Sequence, residues 1–329
     1  MHLWVHDPRG DVLAQADDGL IDQLGLDKGT MTLIDADRAD ALYAHMGSAI
    51  EVSGGSAANT LAGIASLGGR GAYIGKVRDD QLGAIFAHDL RAQGAVYETA
   101  MAPRDWPHET GRCIVLVTPD GERSMNTYLG ATEFLHPDDI DTDMMAAAEW
   151  IYLEGYRFDG PDSHEAFARA IAAARGAGGR VALTLSDPFC VHRHRDAFRT
   201  MIRDSVDLLF ANRAALTAMY GTDDFAAARA AAAAEVEMVL ATDSENGVHV
   251  LTNGADLHIP AVPTRVVDAT GAGDIFAGAY LWALAEGHPP DNCARMGCIA
   301  ASEVISHIGA RPEADLAALP DAGGREDLT

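Results

Sequence analysis

The chain has 329 residues, 48% of them apolar and 22% charged, which excludes a disordered protein and leaves room for one large α/β domain or two unequal ones. Against 24 Lys and Arg stand 49 Asp and Glu, a formal net charge of −25, so no nucleic-acid or membrane partner is expected: such a surface repels both. A local pocket can still oppose that field and admit an anionic small molecule. The four cysteines (Cys113, Cys190, Cys293, Cys298) form no Cys-x-x-Cys pair. The start, Met1-His2-Leu3-Trp4-Val5-His6, lacks a basic stretch followed by an apolar one. With no apolar run of about 18 residues either, a reducing cytoplasm is the expected compartment.

In chain order, short β-rich runs alternate with Ala-rich helical stretches. The pattern predicts helices at 57–67 and 82–93, flanking a strand at 72–77. A strand at 113–118, a turn at 119–122 and a second strand at 123–129 read as a hairpin, because Asp120-Gly121 sits between two alternating runs. Beyond it come a helix at 138–148, a strand at 150–153, a helix at 163–175 and a strand at 181–185. Then follow a helix at 195–204, a strand at 206–211, helices at 214–220 and 223–234, and strands at 236–242 and 248–251. Helices at 273–286 and 290–307 end the series. Near-continuous apolar strands between helices read as a mostly parallel sheet covered on both faces. Two regions break the alternation and read together as a small β-rich lid. The expected division is a core of 1–14, 52–104 and 132–320, a lid of 15–51 and 105–131, and a frayed tail at 321–329.

Two segments carry chemistry. In Val266-Val267-Asp268-Ala269-Thr270-Gly271-Ala272-Gly273-Asp274, a strand-like run stops at small residues and a helix begins near Gly273. The free N–H groups of a helix start make an anion site, and glycine lets an anion approach. Asp274 would repel that anion unless it has a task of its own, such as taking a proton from an attacking hydroxyl; the bland alternative is an acid complementing the helix dipole. In Ser53-Gly54-Gly55-Ser56-Ala57-Ala58-Asn59, small residues again open a helix, and Asn59 can donate to and accept from hydroxyls. The alternative there is a tightly packed helix start.

With the two segments in this order and roughly 200 residues apart, the chain resembles the ribokinase-like (PfkB) family of sugar and nucleoside kinases along nearly its whole length. Gly25-Leu26-Asp27-Lys28-Gly29-Thr30-Met31, Ile74-Gly75-Lys76-Val77, Met125-Asn126-Thr127-Tyr128-Leu129-Gly130 and Leu183-Thr184-Leu185-Ser186-Asp187-Pro188-Phe189 are most similar to its bacterial adenosine kinase-like members. The resemblance implies a three-layer α/β/α sandwich with a small β lid. It implies ATP with Mg²⁺ as phosphoryl donor, K⁺ in some members, and a primary hydroxyl of a nucleoside, adenosine first, as acceptor, in a monomer or homodimer.

The resemblance also implies roles. Asp274 matches the general base, and the backbone of Gly271, Ala272 and Gly273 the anion hole. Asp7, Asp11, Gly54, Gly55 and Asn59 match the acceptor-binding positions. Arg123 matches a lid arginine that closes on phosphates; Asn212, Thr242, Ser244 and Gly247 match nucleotide contacts; Asp268 and Thr270 match ligands of a monovalent cation. No direct protein ligand for Mg²⁺ is expected. Three departures stand out: Asp7 replaces an Asn, Ala215 replaces the acid of an Asn-x-x-Glu, and Ala269 replaces a Thr. They keep two further readings open: a kinase acting on ribose, fructose or a keto-deoxy sugar acid, and a weakly catalytic nucleoside-binding sensor. Cys190-Val191-His192-Arg193-His194 could seed a metal site but reads better as a strand-to-helix loop, and Cys293 and Cys298 read as core.

Overall fold

The computed structural model describes residues 2–5, 9–120 and 122–319. Asp7 and residues 321–329 lie outside them, so the acceptor role expected of Asp7 and the frayed tail have no structural counterpart here. The strands are β1 (His2–Val5), β2 (Arg9–Gln15), β3 (Met31–Leu33), β4 (Ala49–Gly54), β5 (Gly71–Ile74), β6 (Val96–Tyr97) and β7 (Gly111–Val117). They continue as β8 (Arg123–Tyr128), β9 (Trp150–Glu154), β10 (Arg180–Thr184), β11 (Leu208–Asn212), β12 (Met238–Thr242), β13 (Val248–Thr252) and β14 (Ala255–Ile259). The helices are α1 (Asp18–Gln23), α2 (Ala36–His45), α3 (Ser56–Ser66), α4 (Gln81–Ala92), α5 (Thr142–Ala146) and α6 (Ser163–Gly176). After them come α7 (Pro188–Ser205), α8 (Arg213–Tyr220), α9 (Phe225–Ala233), α10 (Ala272–Ala285) and α11 (Pro290–Val304).

Nine strands form the main sheet in the order β14-β13-β12-β11-β10-β9-β1-β5-β6. All neighbours are parallel except β12–β13 and β13–β14. Successive side chains of a strand leave on opposite faces, and both faces are covered. Ile151, Leu153, Val181, Leu183, Leu209 and Val239 pack with Phe167, Phe198 and Leu216 of the helices on one side. The alternate residues Trp150, Tyr152, Ala182, Phe210 and Leu240 pack with Leu61, Phe276 and Tyr280 on the other. The result is the expected three-layer α/β/α sandwich. The C-terminal ends of the parallel strands open onto a cleft lined by Thr184, Asn212 and Thr242, the usual place for a ligand in such a sheet.

The second sheet has five strands, β3-β8-β7-β2-β4, and includes the expected hairpin, with Val117 opposite Arg123. The same pleat sorts its residues. Val12, Ala14, Ile114 and Leu116 face α1 and α2, while Asp11, Leu13, Cys113 and Val115 face the cleft. All of β2 lies in this sheet, so the chain enters it at Arg9, ahead of the division expected after residue 14.

Local signals account for the elements that differ from expectation. α7 starts at Pro188, because Asp187 accepts from Cys190 N at 2.8 Å and Pro fits a first helical turn. Residues 190–194 are therefore helical, with a kink at His194, and not a loop. The stretch predicted as helix 138–148 is a 3₁₀ turn, Pro137–Asp139, followed by the short α5 capped by Asp141.

α3 and α10 lie against each other on one face of the main sheet, and a methyl group at Gly278 would fall on the Thr60 carbonyl oxygen. Gly278→Ala is expected to force the two helices apart and to cost about 1–3 kcal/mol in urea unfolding.

Candidate active site

Two helix starts meet at the floor of the cleft, whose volume is about 970 Å³. Gly55 caps α3 with φ +102°, and Gly271 caps α10 with φ +79°; neither helix has a side-chain cap. Both conformations favour glycine, and at Gly271 a side chain would also collide with Ala310. Bare starts leave backbone N–H groups for a ligand. Around Gly273, nothing lies within 4 Å of where a Cβ would stand, so an anion can come close. Ala272 is the exception in the expected anion hole: its N–H turns back to the Ala269 carbonyl at 3.4 Å, and only Gly271 and Gly273 line the cleft.

Asp274 projects from the first turn of α10 and is gripped from α3. Ser56 Oγ donates to Oδ1 at 2.5 Å, and Asn59 Nδ2 donates to Oδ2 at 2.9 Å. Charge-assisted bonds of this kind fix a carboxylate's direction. Below it, burial, helped by the charges of Glu154 and Asp274, raises the Tyr152 phenol well above its usual range and keeps it neutral.

Asp11 reaches the cleft from β2, and its carboxylate fills the space that a side chain at Gly54 would need. Gly54 thus makes room for Asp11 and does not itself line the cleft, whereas Gly55 and Asn59 do. Leu13, Cys113, Val115 and Met125 of the small sheet add an apolar wall beside these polar groups.

Arg123 is the main departure from the expected roles. Its Nη1 donates to Thr270 Oγ1 at 3.0 Å and its Nη2 pairs with Asp268 Oδ2. Asp268 is 7% exposed and also accepts from the Thr270 and Gly309 amides. A buried carboxylate needs a positive partner, and the guanidinium supplies it. The expected phosphate contact and the two expected cation contacts are therefore one cluster. Of the expected nucleotide contacts, Asn212 and Thr242 line the cleft, although the Asn212 side chain is committed to capping α8 through Ala215 N at 2.8 Å. Ser244 and Gly247 do not line it; Gly247, at φ +92°, serves the turn into β13. Ala215 is fully buried, and among the described residues no cluster of three or more His, Cys, Asp or Glu could hold a metal.

Sequence reasoning assigned no role to Ser56, Asp89 or Arg311, all of which reach the cleft. Ser56 was visible as part of the second segment. Arg311 carries no local signal, since only the fold returns the stretch after α11 to the Gly271 turn.

Arg123→Ala would strand the Asp268 carboxylate. A loss of roughly 3 kcal/mol is expected in chemical unfolding, at the lower end for breaking a buried pair. Asp268→Asn in the same background should recover part of it, because it removes the stranded charge.

The pattern of the pfkB family carbohydrate kinases matches residues 29–316. A fructokinase from Klebsiella pneumoniae is 30% identical over 288 residues, covering 83% of this chain and 91% of its own. A solved adenosine kinase from Sinorhizobium meliloti is 45% identical, with a TM-score of 0.90 over 96% of this chain and 97% of its own. A probable sugar kinase from Rhizobium etli is 43% identical, also with a TM-score of 0.90, over 96% of each chain. With the bare glycine turns and the gripped aspartate, these likenesses make the chain a member of the pfkB carbohydrate kinase family, an ATP-dependent kinase whose acceptor is a hydroxyl group.

Proposed function

We propose that the enzyme phosphorylates the 5′-hydroxyl of a nucleoside, adenosine first, with Asp274 as general base. The carrying observation is the Asp274 carboxylate, fixed by Ser56 and Asn59 beside Gly271 and Gly273, which line the cleft. In this reading Asp274 takes the proton of the acceptor hydroxyl as its oxygen attacks the γ-phosphorus. The bond to the β-phosphate oxygen breaks, ADP leaves, and the charge on the transferred group meets backbone amides and the start of α10. Mg²⁺, bound to the phosphates of ATP, would neutralise charge there; Ala215 stands where an acid would order the water bound to that ion. Asp11, Gly55 and Asn59 hold acceptor hydroxyls, and the small sheet acts as the lid that excludes water.

Leu13, Cys113, Val115 and Met125 favour a nucleoside, because a base needs an apolar wall and a free sugar does not. The likeness to the Sinorhizobium adenosine kinase supports the same choice. A second reading, a fructose kinase, is favoured by the Klebsiella relative.

An ADP-release assay with Mg²⁺-ATP tests the proposal across adenosine, inosine, guanosine, cytidine, ribose, fructose and keto-deoxygluconate. Adenosine is expected to give the highest kcat/KM, and Asp274→Asn to lower kcat about 10²–10⁴-fold, the range for a lost general base. Turnover of fructose alone would move the acceptor and keep the mechanism. Adenosine binding with no turnover of any acceptor would leave a nucleoside sensor.

A further inference from the structure

Arg311 follows the pair that braces the anion turn: Gly309 N donates to Asp268 at 2.8 Å, and Ala310 packs on Gly271. Its side chain lines the cleft. Its Nε and Nη2 atoms are buried and have no hydrogen-bond partner among the described residues. These two atoms form one edge of the guanidinium, the edge that can grip two oxygens side by side. Burial lowers the Arg311 pKa, while the charges of Asp89 and Asp11 oppose that shift. Arg311, Asp11 and Asp89 line the same cleft.

A buried donor pair without an acceptor is costly, so a bound molecule that supplies oxygens there gains affinity. Charge decides which oxygens. Among the described residues that line the cleft, Asp11, Asp89 and Asp274 bring carboxylates, and with Arg123 paired to Asp268 only the Arg311 guanidinium opposes them, which leaves the cleft negative. A carboxylate on the acceptor would be repelled. A neutral hydroxyl can accept from the guanidinium and donate to an aspartate at once. We propose that Arg311 is a specificity-determining residue that reads a vicinal pair of uncharged hydroxyls on the acceptor, so that the acceptor class is a neutral diol and a sugar acid is rejected. The inference rests on the proposed kinase site and adds a residue to its acceptor end.

Calorimetric binding tests it without requiring turnover. The titrants are adenosine, its 2′-deoxy and 3′-deoxy analogues, fructose and keto-deoxygluconate; the proteins are the wild type, Arg311→Met and Arg311→Lys. Removing one hydroxyl should weaken binding to the wild type roughly tenfold or more, as for a hydrogen bond to a charged group. In Arg311→Met that penalty should shrink to less than about threefold, because the partner is gone. Arg311→Lys, with the charge but not the fork, should fall between. The Arg311→Met melting temperature should hold or rise, since an unpartnered buried cation is replaced by an apolar chain. A fully retained hydroxyl penalty in Arg311→Met, or in Arg311→Lys should the first variant not fold, would overturn the proposal. So would tighter binding of keto-deoxygluconate than of adenosine, or wild type binding none of these molecules. Fructose binding without adenosine binding, weakened by Arg311→Met, would uphold the role of Arg311 and overturn the nucleoside reading.

Discussion

The cleft depends on one carboxylate held from across the chain. Asp274 and its two donors are 218 and 215 residues apart in sequence, yet they meet because α3 and α10 pack closely at their N-terminal turns. Seven helices (α1, α2, α4, α5, α7, α8 and α9) are closed at their start by an Asp or Asn side chain. α3 and α10 start instead at glycines with positive φ and carry no such cap. Without such a cap Gly55, Gly271 and Gly273 line the cleft directly, and the acid between the two starts is held by Ser56 and Asn59. Positioning of this kind is most of what phosphoryl transfer asks of a protein.

Charge is distributed to the same end. Part of the large acidic surplus is spent on helix caps, where the macrodipole favours it. In the cleft, two guanidiniums counter it locally. Arg123 joins the small sheet to the loop before α10 through Asp268 and Thr270. Arg311 lines the same cleft from the stretch after α11.

The main sheet was legible because its strands are apolar on both faces and its helices carry strong starts and stops. The small sheet was less so. β3 spans three residues and β6 two, too short for a period to register. β2 alternates cleanly, but its neighbour β4 is distant in sequence, and pairing of that kind leaves no local mark. At the site, Asp274 and the glycine turns could be read because their chemistry is packed into a few adjacent residues. The pairing of Arg123 with Asp268 could not, since each matched a separate role and only the fold shows that the two groups meet. The same reason hid Arg311.

The central claim is that Asp274 acts as base because α3 holds it in place. A double-mutant cycle on turnover, with Ser56→Ala, Asp274→Ala and the pair, tests this most directly. If Ser56 works through Asp274, each single change lowers kcat and the pair is no slower than Asp274→Ala alone. Penalties that multiply in the double variant would show that Ser56 acts independently, and would contradict the account.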